Sequence, residues 1–198
     1  MFKYRNIIRF VCYLVFLAGA LAYPVKKILS FEYPAVSPSV YQFRVETVDP
    51  YDPLRGRYLL LTVHPQRLLT EDTTPQWGNG SMRLHPLAVL GTAEDGTADV
   101  IALVETPEQV PQGHDFIRLA GVRHSSKWAQ GKPSAPYCYY LKFPFDRFFI
   151  NEQKAEAVDK KLRRAPGQEV APGILVVKVF PNGNFMPEDL LVDGKSVL

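Results

Sequence analysis

The sequence is poor in the residues that most enzymes lean on. Two cysteines, Cys12 and Cys138, and four histidines, His64, His85, His114 and His124, are spread over 198 residues. No two of them stand at the spacing of a metal-ligand pair, so a zinc site written into a local motif is excluded. No Gly-rich phosphate loop and no nucleophile elbow occurs, which removes the usual marks of nucleotide binding and of an α/β-hydrolase. No cofactor or metal is expected. Cys12 sits in an apolar N-terminal run far from Cys138, so the two are not expected to pair. Within "YCYYLKF", Cys138 reads as a small core residue.

Acid is missing from the first 22 residues, where Lys3, Arg5 and Arg9 account for the whole formal charge of +3. The rest of the chain is therefore neutral. Nucleic-acid binding needs a basic face on the folded domain, and composition gives it no support. Low-complexity tracts are also missing: 17 prolines and 13 glycines are scattered among aromatic and β-branched runs. Many short elements joined by turns, a β-rich chain, is what that pattern predicts.

What is present begins with "MFKYRNIIRFVCYLVFLAGALAYPVKK", a basic start followed by an apolar run from Phe10 to Ala22. A helix from Ile7 to Val25, closed by Pro24, would span about 28 Å, one bilayer core. Ala20-Leu21-Ala22 has the small-x-small form of a signal-peptidase site, so anchor and cleavable signal both stand. The excess of Lys3, Arg5 and Arg9 over Lys26 and Lys27 predicts a cytoplasmic N-terminus and an extracytoplasmic domain. Residues 1–27 are then an anchor, 28–43 a linker and 44–198 the β-rich domain.

Within the domain, "YQFRVETV" alternates as a half-buried strand and "YLLLTV" is strongly β-prone. Asp95-Gly96, Asn182-Gly183 and Asp193-Gly194 mark reversals between strands. "DFIRLAGV" reads as one further strand, "YCYYLKF" as another, and "TEDTTPQWGNGS" and "HSSKWAQGKPSAP" as polar loops. "NEQKAEAVDKKLRR" is the one domain helix, capped by Asn151, with Ala155, Val158 and Leu162 on its apolar stripe. Its basic end, Lys160, Lys161, Arg163 and Arg164, complements the helix dipole. Seven to nine strands and one helix give an α+β domain, mainly β: a sandwich or a partly open barrel, preceded by one transmembrane helix.

The stretch "VDPYDPLRGRYLLLTV" resembles the signature of the GDYXXLXY family, with Gly56, Tyr58 and Leu61 matching. Arg57 stands where the signature has Asp, and Val63 where it has the second Tyr. "RFFINEQKAEAVDKKL" and "LLVDGKSV" are similar to the family's aromatic strand with its following helix and to its closing hairpin. The resemblance implies a membrane-anchored protein that partners a multi-spanning membrane protein, and it implies no reaction. Both departures fall on the strand face shared by positions 57, 59, 61 and 63. The retained corner, Asp49, Arg55, Gly56 and Tyr58, is the candidate binding site, with Pro50, Pro53 and Gly56 shaping the turn.

The leading expectation is a non-enzymatic interaction or assembly protein. One alternative is an envelope hydrolase or peptidase built on His124, Ser125, Ser126 and Lys127. Another is a glycan- or peptide-binding module using Trp77 and Trp128.

Overall fold

A computed structural model describes residues 2–32, 37–47, 58–70, 82–83, 85–125, 137–163, 165, 167–168 and 172–198. The chain divides into two compact units, Met1–Ser37 and Pro38–Leu198. The first is a single helix, α1 (Phe2–Glu32), with Pro24 inside it. Proline therefore does not close the helix as its sequence position suggested. Proline removes one i→i−4 hydrogen bond and can kink a helix without ending it, so the turns on either side carry α1 past residue 24. The window Arg9–Leu29, 21 residues of mean hydropathy 1.5, is long and apolar enough to cross a membrane. A signal sequence has the same length and composition. The expected linker, 28–43, holds the end of α1 and the first residues of β1.

The second unit contains, in order, β1 (Ser39–Thr47), β2 (Tyr58–Val63), β3 (Arg67–Thr70), β4 (Met82–Arg83), β5 (Leu87–Thr92), β6 (Ala98–Val104), β7 (Phe116–Arg118), β8 (Gly121–Ser125), β9 (Tyr137–Lys142), β10 (Arg147–Phe149), α2 (Glu152–Leu162), β11 (Gly173–Val179), β12 (Phe185–Val192) and β13 (Lys195–Ser196). Thirteen strands among the described residues exceed the seven to nine expected. The surplus lies in strands of two to four residues, too short to show alternation. "DFIRLAGV" is two strands in two sheets. The Leu119 amide donates to Pro86 O at 2.8 Å and that of Ala120 to Lys142 O at 2.9 Å, so the chain changes sheets between these residues.

The sheets are antiparallel, ordered β10-β2-β1-β11-β12-β13, β3-β9-β8-β4 and β6-β5-β7. Strand β1 alternates as read, with Phe43, Val45 and Thr47 buried, and β2 buries Leu59, Leu61 and Val63. These side chains join residues from all three sheets in one core, where Phe43 meets Phe143 and Phe145 edge-on at 5.3 and 5.1 Å. The six-stranded sheet curls. Residues of β10 at one end and of β12 toward the other line a common cavity of about 360 Å³, the geometry of a partly open barrel. The hairpin signals also hold: Gly96 and Gly183 take positive φ, and Asp193 and Gly194 both do, as a tight type I′ reversal requires.

Helix α2 packs against β1, β2 and β12. The Lys154 and Ala155 amides donate to Asn151 O at 3.0 and 3.1 Å, starting the helix where the sequence placed its cap. Ala155, Val158 and Leu162 are buried as expected. Leu162 rests on Gly173, where a Cβ would overlap Leu162 Cδ2 and stand 3.3 Å from Val45 Cγ2. At its far end Thr47 Oγ1 donates to Asp159 O at 3.4 Å, and Thr47 forms a parallel bridge with Arg163. The buried Asp159 accepts from Arg163 Nη2 at 3.0 Å through Oδ2, while Oδ1 has no hydrogen-bond partner among the described residues. In the basic helix end Lys161 pairs with Asp193 at 2.9 Å; Arg164 lies outside the described residues.

Two outcomes are expected. Gly173→Val, which forces Leu162 and Val45 apart, should cost about 1–3 kcal/mol, lowering Tm by roughly 3–10 °C in thermal unfolding of the full chain. The second concerns Tyr41, whose hydroxyl donates to Asp115 Oδ2 at 3.0 Å. Burial first, then the bond to Asp115 and its charge, push the phenol up from 10.0 to about 12. Below pH 10 the phenol is neutral in both states and its contribution is whole. As pH rises from 10 toward 12 the unfolded chain ionises first, so that contribution is lost. Denaturant titrations should show this loss in the wild type and a smaller one in Tyr41→Phe; parallel pH profiles would refute it.

Candidate interaction surface

Because inward positions on β2 are 59, 61 and 63, Tyr58, Leu60 and Thr62 point outward. Of the four corner residues, the structure describes Tyr58; Asp49, Arg55 and Gly56, together with Arg57, lie outside the described residues. Strand β10 pairs with β2 so that Phe149 faces Tyr58 and Arg147 faces Leu60. The Tyr58 and Phe149 rings meet edge-on at 6.1 Å, and the Arg147 guanidinium lies 5.4 Å from the Tyr58 ring centre. Phe149 is 71% exposed, an unusual state for a large apolar ring.

Toward the C-terminal end of β2 the surface opens into a groove of about 300 Å³, bordered by Leu60, Thr62, Gln66, Tyr140, Lys142 and Asp146. Its far wall belongs to β9. There Tyr140 is directly opposite Arg67 of β3 and Arg123 of β8, whose guanidinium carbons lie 5.2 and 5.3 Å from its ring centre. One wall of the groove is thus a tyrosine flanked by two arginines, and the other begins at Leu60, two residues after Tyr58. Such pairs hold guanidinium groups in fixed orientation over the ring face.

On the outer face beside this groove, His64 Nε2 lies 3.2 Å from Glu46 Oε1, and Arg44 pairs with Asp95 at 3.6 Å. Asp95 also accepts from the Thr97 amide and hydroxyl at 3.0 and 2.6 Å, and these bonds, ahead of Arg44, hold its carboxyl below the usual range. His114 Nδ1 donates to Leu90 O at 3.2 Å. Burial raises the Cys138 thiol, outweighing the opposing charge of Arg67; the side chain is fully buried as expected, but on the Tyr140 side of β9 and outside the main core cluster. Among the described residues no group of three His, Cys, Asp or Glu side chains could hold a metal.

The residues of the hydrolase alternative are not brought together within view. His124 and Ser125 are described as backbone of β8, while Ser126 and Lys127 lie outside the described residues, as do Trp77 and Trp128. Sequence reading missed Arg147 and Phe149 as partners of Tyr58, and Arg67, Tyr140 and Arg123 as a cluster. The run "RFF" carried a hint, since consecutive aromatics in a strand must face opposite ways and one must face out. The cross-strand cluster had no such signal, because it depends on pairing between segments up to 73 positions apart.

The fold is that of an α+β protein, an antiparallel half-barrel domain with one apolar N-terminal helix. The chain belongs to the GDYXXLXY family: the family model, described as GDYXXLXY protein, matches residues 20–190. Comparison with curated proteins and with solved structures returned no match.

If the Tyr58 corner is held by ring contacts, its hydroxyl is dispensable for stability. Tyr58→Phe should leave stability within about 0.5 kcal/mol, whereas a double-mutant cycle of Tyr58→Ala with Arg147→Ala should give a coupling of about 0.5–1 kcal/mol. Denaturant titration of the four proteins measures it, and a coupling of zero would show the stacking to be incidental.

Proposed function

We propose that this chain is a single-pass membrane protein whose domain lies outside the cytoplasm and helps to assemble or regulate a multi-spanning membrane partner. The observation that carries the reading is α1: a helix whose Arg9–Leu29 window is apolar enough to span a bilayer, none of that window being buried in the structure. Lys3, Arg5 and Arg9 outnumber Lys26 and Lys27, which favours the cytoplasm for the N-terminus. The family membership supports the same reading through the partnership that the sequence resemblance implies.

The contact surface in this proposal is the family's corner, Asp49, Arg55, Gly56 and Tyr58, extended by Phe149. A ring 71% exposed beside a stacked tyrosine supplies the kind of aromatic anchor found at the centre of protein interfaces. Nothing in this role requires a reacting group. It requires a rigid strand to hold the anchor, which β2 provides through pairing on both sides.

A photoreactive benzoylphenylalanine in place of Phe149, in full-length protein expressed in its native membrane, tests the proposal. The expected result is a discrete adduct with an integral membrane protein, absent when the same group replaces Ile101 of β6, another exposed large apolar residue. Carbonate extraction should leave the chain in the membrane. Recovery of the chain in the carbonate supernatant, or identical adduct patterns at both positions, would overturn it.

A further inference from the structure

Strand β10 ends the six-stranded sheet, and its main chain is open on one side. The Leu61 amide donates to Asp146 O at 2.8 Å, immediately before β10. Along an antiparallel ladder, hydrogen-bonded and non-hydrogen-bonded pairs alternate. Phe148 and Leu59 are therefore a bonded pair, while Arg147 and Phe149 turn their amides and carbonyls away from β2. These groups have no hydrogen-bond partner among the described residues. They form a short row of donors and acceptors of the kind to which another chain adds as a strand.

The row faces a slot. The cavity of about 360 Å³ between the ends of the curled sheet has Arg147, Phe148 and Phe149 on one wall, and Pro187, Glu188 and Leu198 on the other. The second wall offers less to a main chain. The Phe180 amide donates to Asn184 O at 2.9 Å, so by the same alternation Lys178 and Met186 are a bonded pair and Pro187 turns its nitrogen away from β11. That nitrogen carries no hydrogen, as suits a proline on a strand edge. One wall holds a strand by hydrogen bonds, and the other packs against it.

We infer that an extended peptide segment of the membrane partner adds to the open edge of β10 and fills the slot between β10 and β12. The inference rests on the partnership proposed above and specifies its mode. Only another main chain matches a row of amides and carbonyls at the strand repeat. A second copy of this chain does not fit, because its β10 would arrive with its own β2 behind it, in the space that β12 occupies. Strand alternation sets the chemistry of the segment. The residue beside the buried Phe148 is apolar, and the residue beside Phe149 is aromatic or aliphatic on the outer face. Arg147 is exposed and reaches Asp146 only at 3.9 Å, while Glu188 across the slot is engaged by Lys178. A carboxylate therefore suits the position beside Arg147.

The test uses full-length protein in its native membrane, with benzoylphenylalanine in place of Phe149 on one wall or of Glu188 on the other. Both positions should give adducts with one integral membrane protein, and mass spectrometry should map them to the same stretch of a few residues. With the photoreactive group at 188, Arg147→Pro removes an outward amide but no bond to β2, and should lower adduct yield about ten-fold or more. Arg147→Ala, which keeps the amide, should lower it by no more than about three-fold. In a Cys12→Ser background, protection of the buried Cys138 from maleimide shows that each variant is folded. An adduct at 149 with none at 188, or adducts at the two positions in unrelated segments, overturns the slot as the binding mode. Equal losses in Arg147→Pro and Arg147→Ala overturn main-chain pairing in favour of the guanidinium, and unchanged yield in Arg147→Pro overturns it outright. Crosslinks to another copy of this chain overturn the choice of occupant. Absence of adducts at both positions means that the partnership itself fails, a result distinct from each of these.

Discussion

The seat of Leu162 on Gly173 is the constraint from which the domain's surface follows. Leu162 is fully buried, and the space it fills exists because residue 173 has no Cβ. Burying such a side chain is worth about 1.5–3 kcal/mol. Its larger effect is geometric. It fixes α2 against β11, and since two residues separate β10 from α2, the helix fixes β10 as well. Strand β10 carries Arg147 and Phe149, so the seat of one leucine supports, from the helix side, the strand whose pairing with β2 sets an exposed aromatic ring beside Tyr58.

The polar end of α2 limits the same packing from another direction. Asp159 is buried with Arg163 as its ion-pair partner, and its backbone carbonyl accepts from Thr47. With Asp159 buried and Arg163 exposed, desolvation of the carboxylate offsets much of the attraction, and the pair contributes little net stability. Arg163 is on the same helix end and moves with Asp159, so the contact that registers α2 along β1 is the Thr47 bond to the Asp159 carbonyl, which any shift would break. Apolar packing sets the depth of the helix, and the polar contacts set its position along the sheet.

How much of this could be read from sequence depended on the range of the signal. Local signals were legible. Alternation in "YQFRVETV" gave the inward face of β1, Asp95-Gly96 and Asp193-Gly194 gave their reversals, and the stripe Ala155, Val158, Leu162 gave the buried face of α2. Signals that need a partner were not. The break in "DFIRLAGV" is invisible because Leu119 continues the apolar pattern while its amide turns to Pro86. Pro24 misled because proline removes one helix hydrogen bond without obliging the chain to leave the helix, and the turns on either side of it hold. The site was legible to the same extent: Tyr58 could be singled out, but its contacts come from β10, and those of Tyr140 come from β3 and β8.

One of the two departures from the family signature, Val63, gains a physical meaning from the burial of β2. Positions 59, 61 and 63 all face the core, so Val63 occupies an inward site where the signature has tyrosine. A phenol there would need a partner for its hydroxyl or bear the cost of leaving it unpaired, whereas valine adds apolar area and asks for none. The substitution is thus a repacking of the interior, and it leaves the outward face untouched. Tyr58, retained from the signature, is on that outward face, with its ring contacts drawn from Arg147 and Phe149. The side of the strand on which this chain departs from its family is hidden from any partner at position 63, and the side on which it agrees at position 58 is the one a partner can reach.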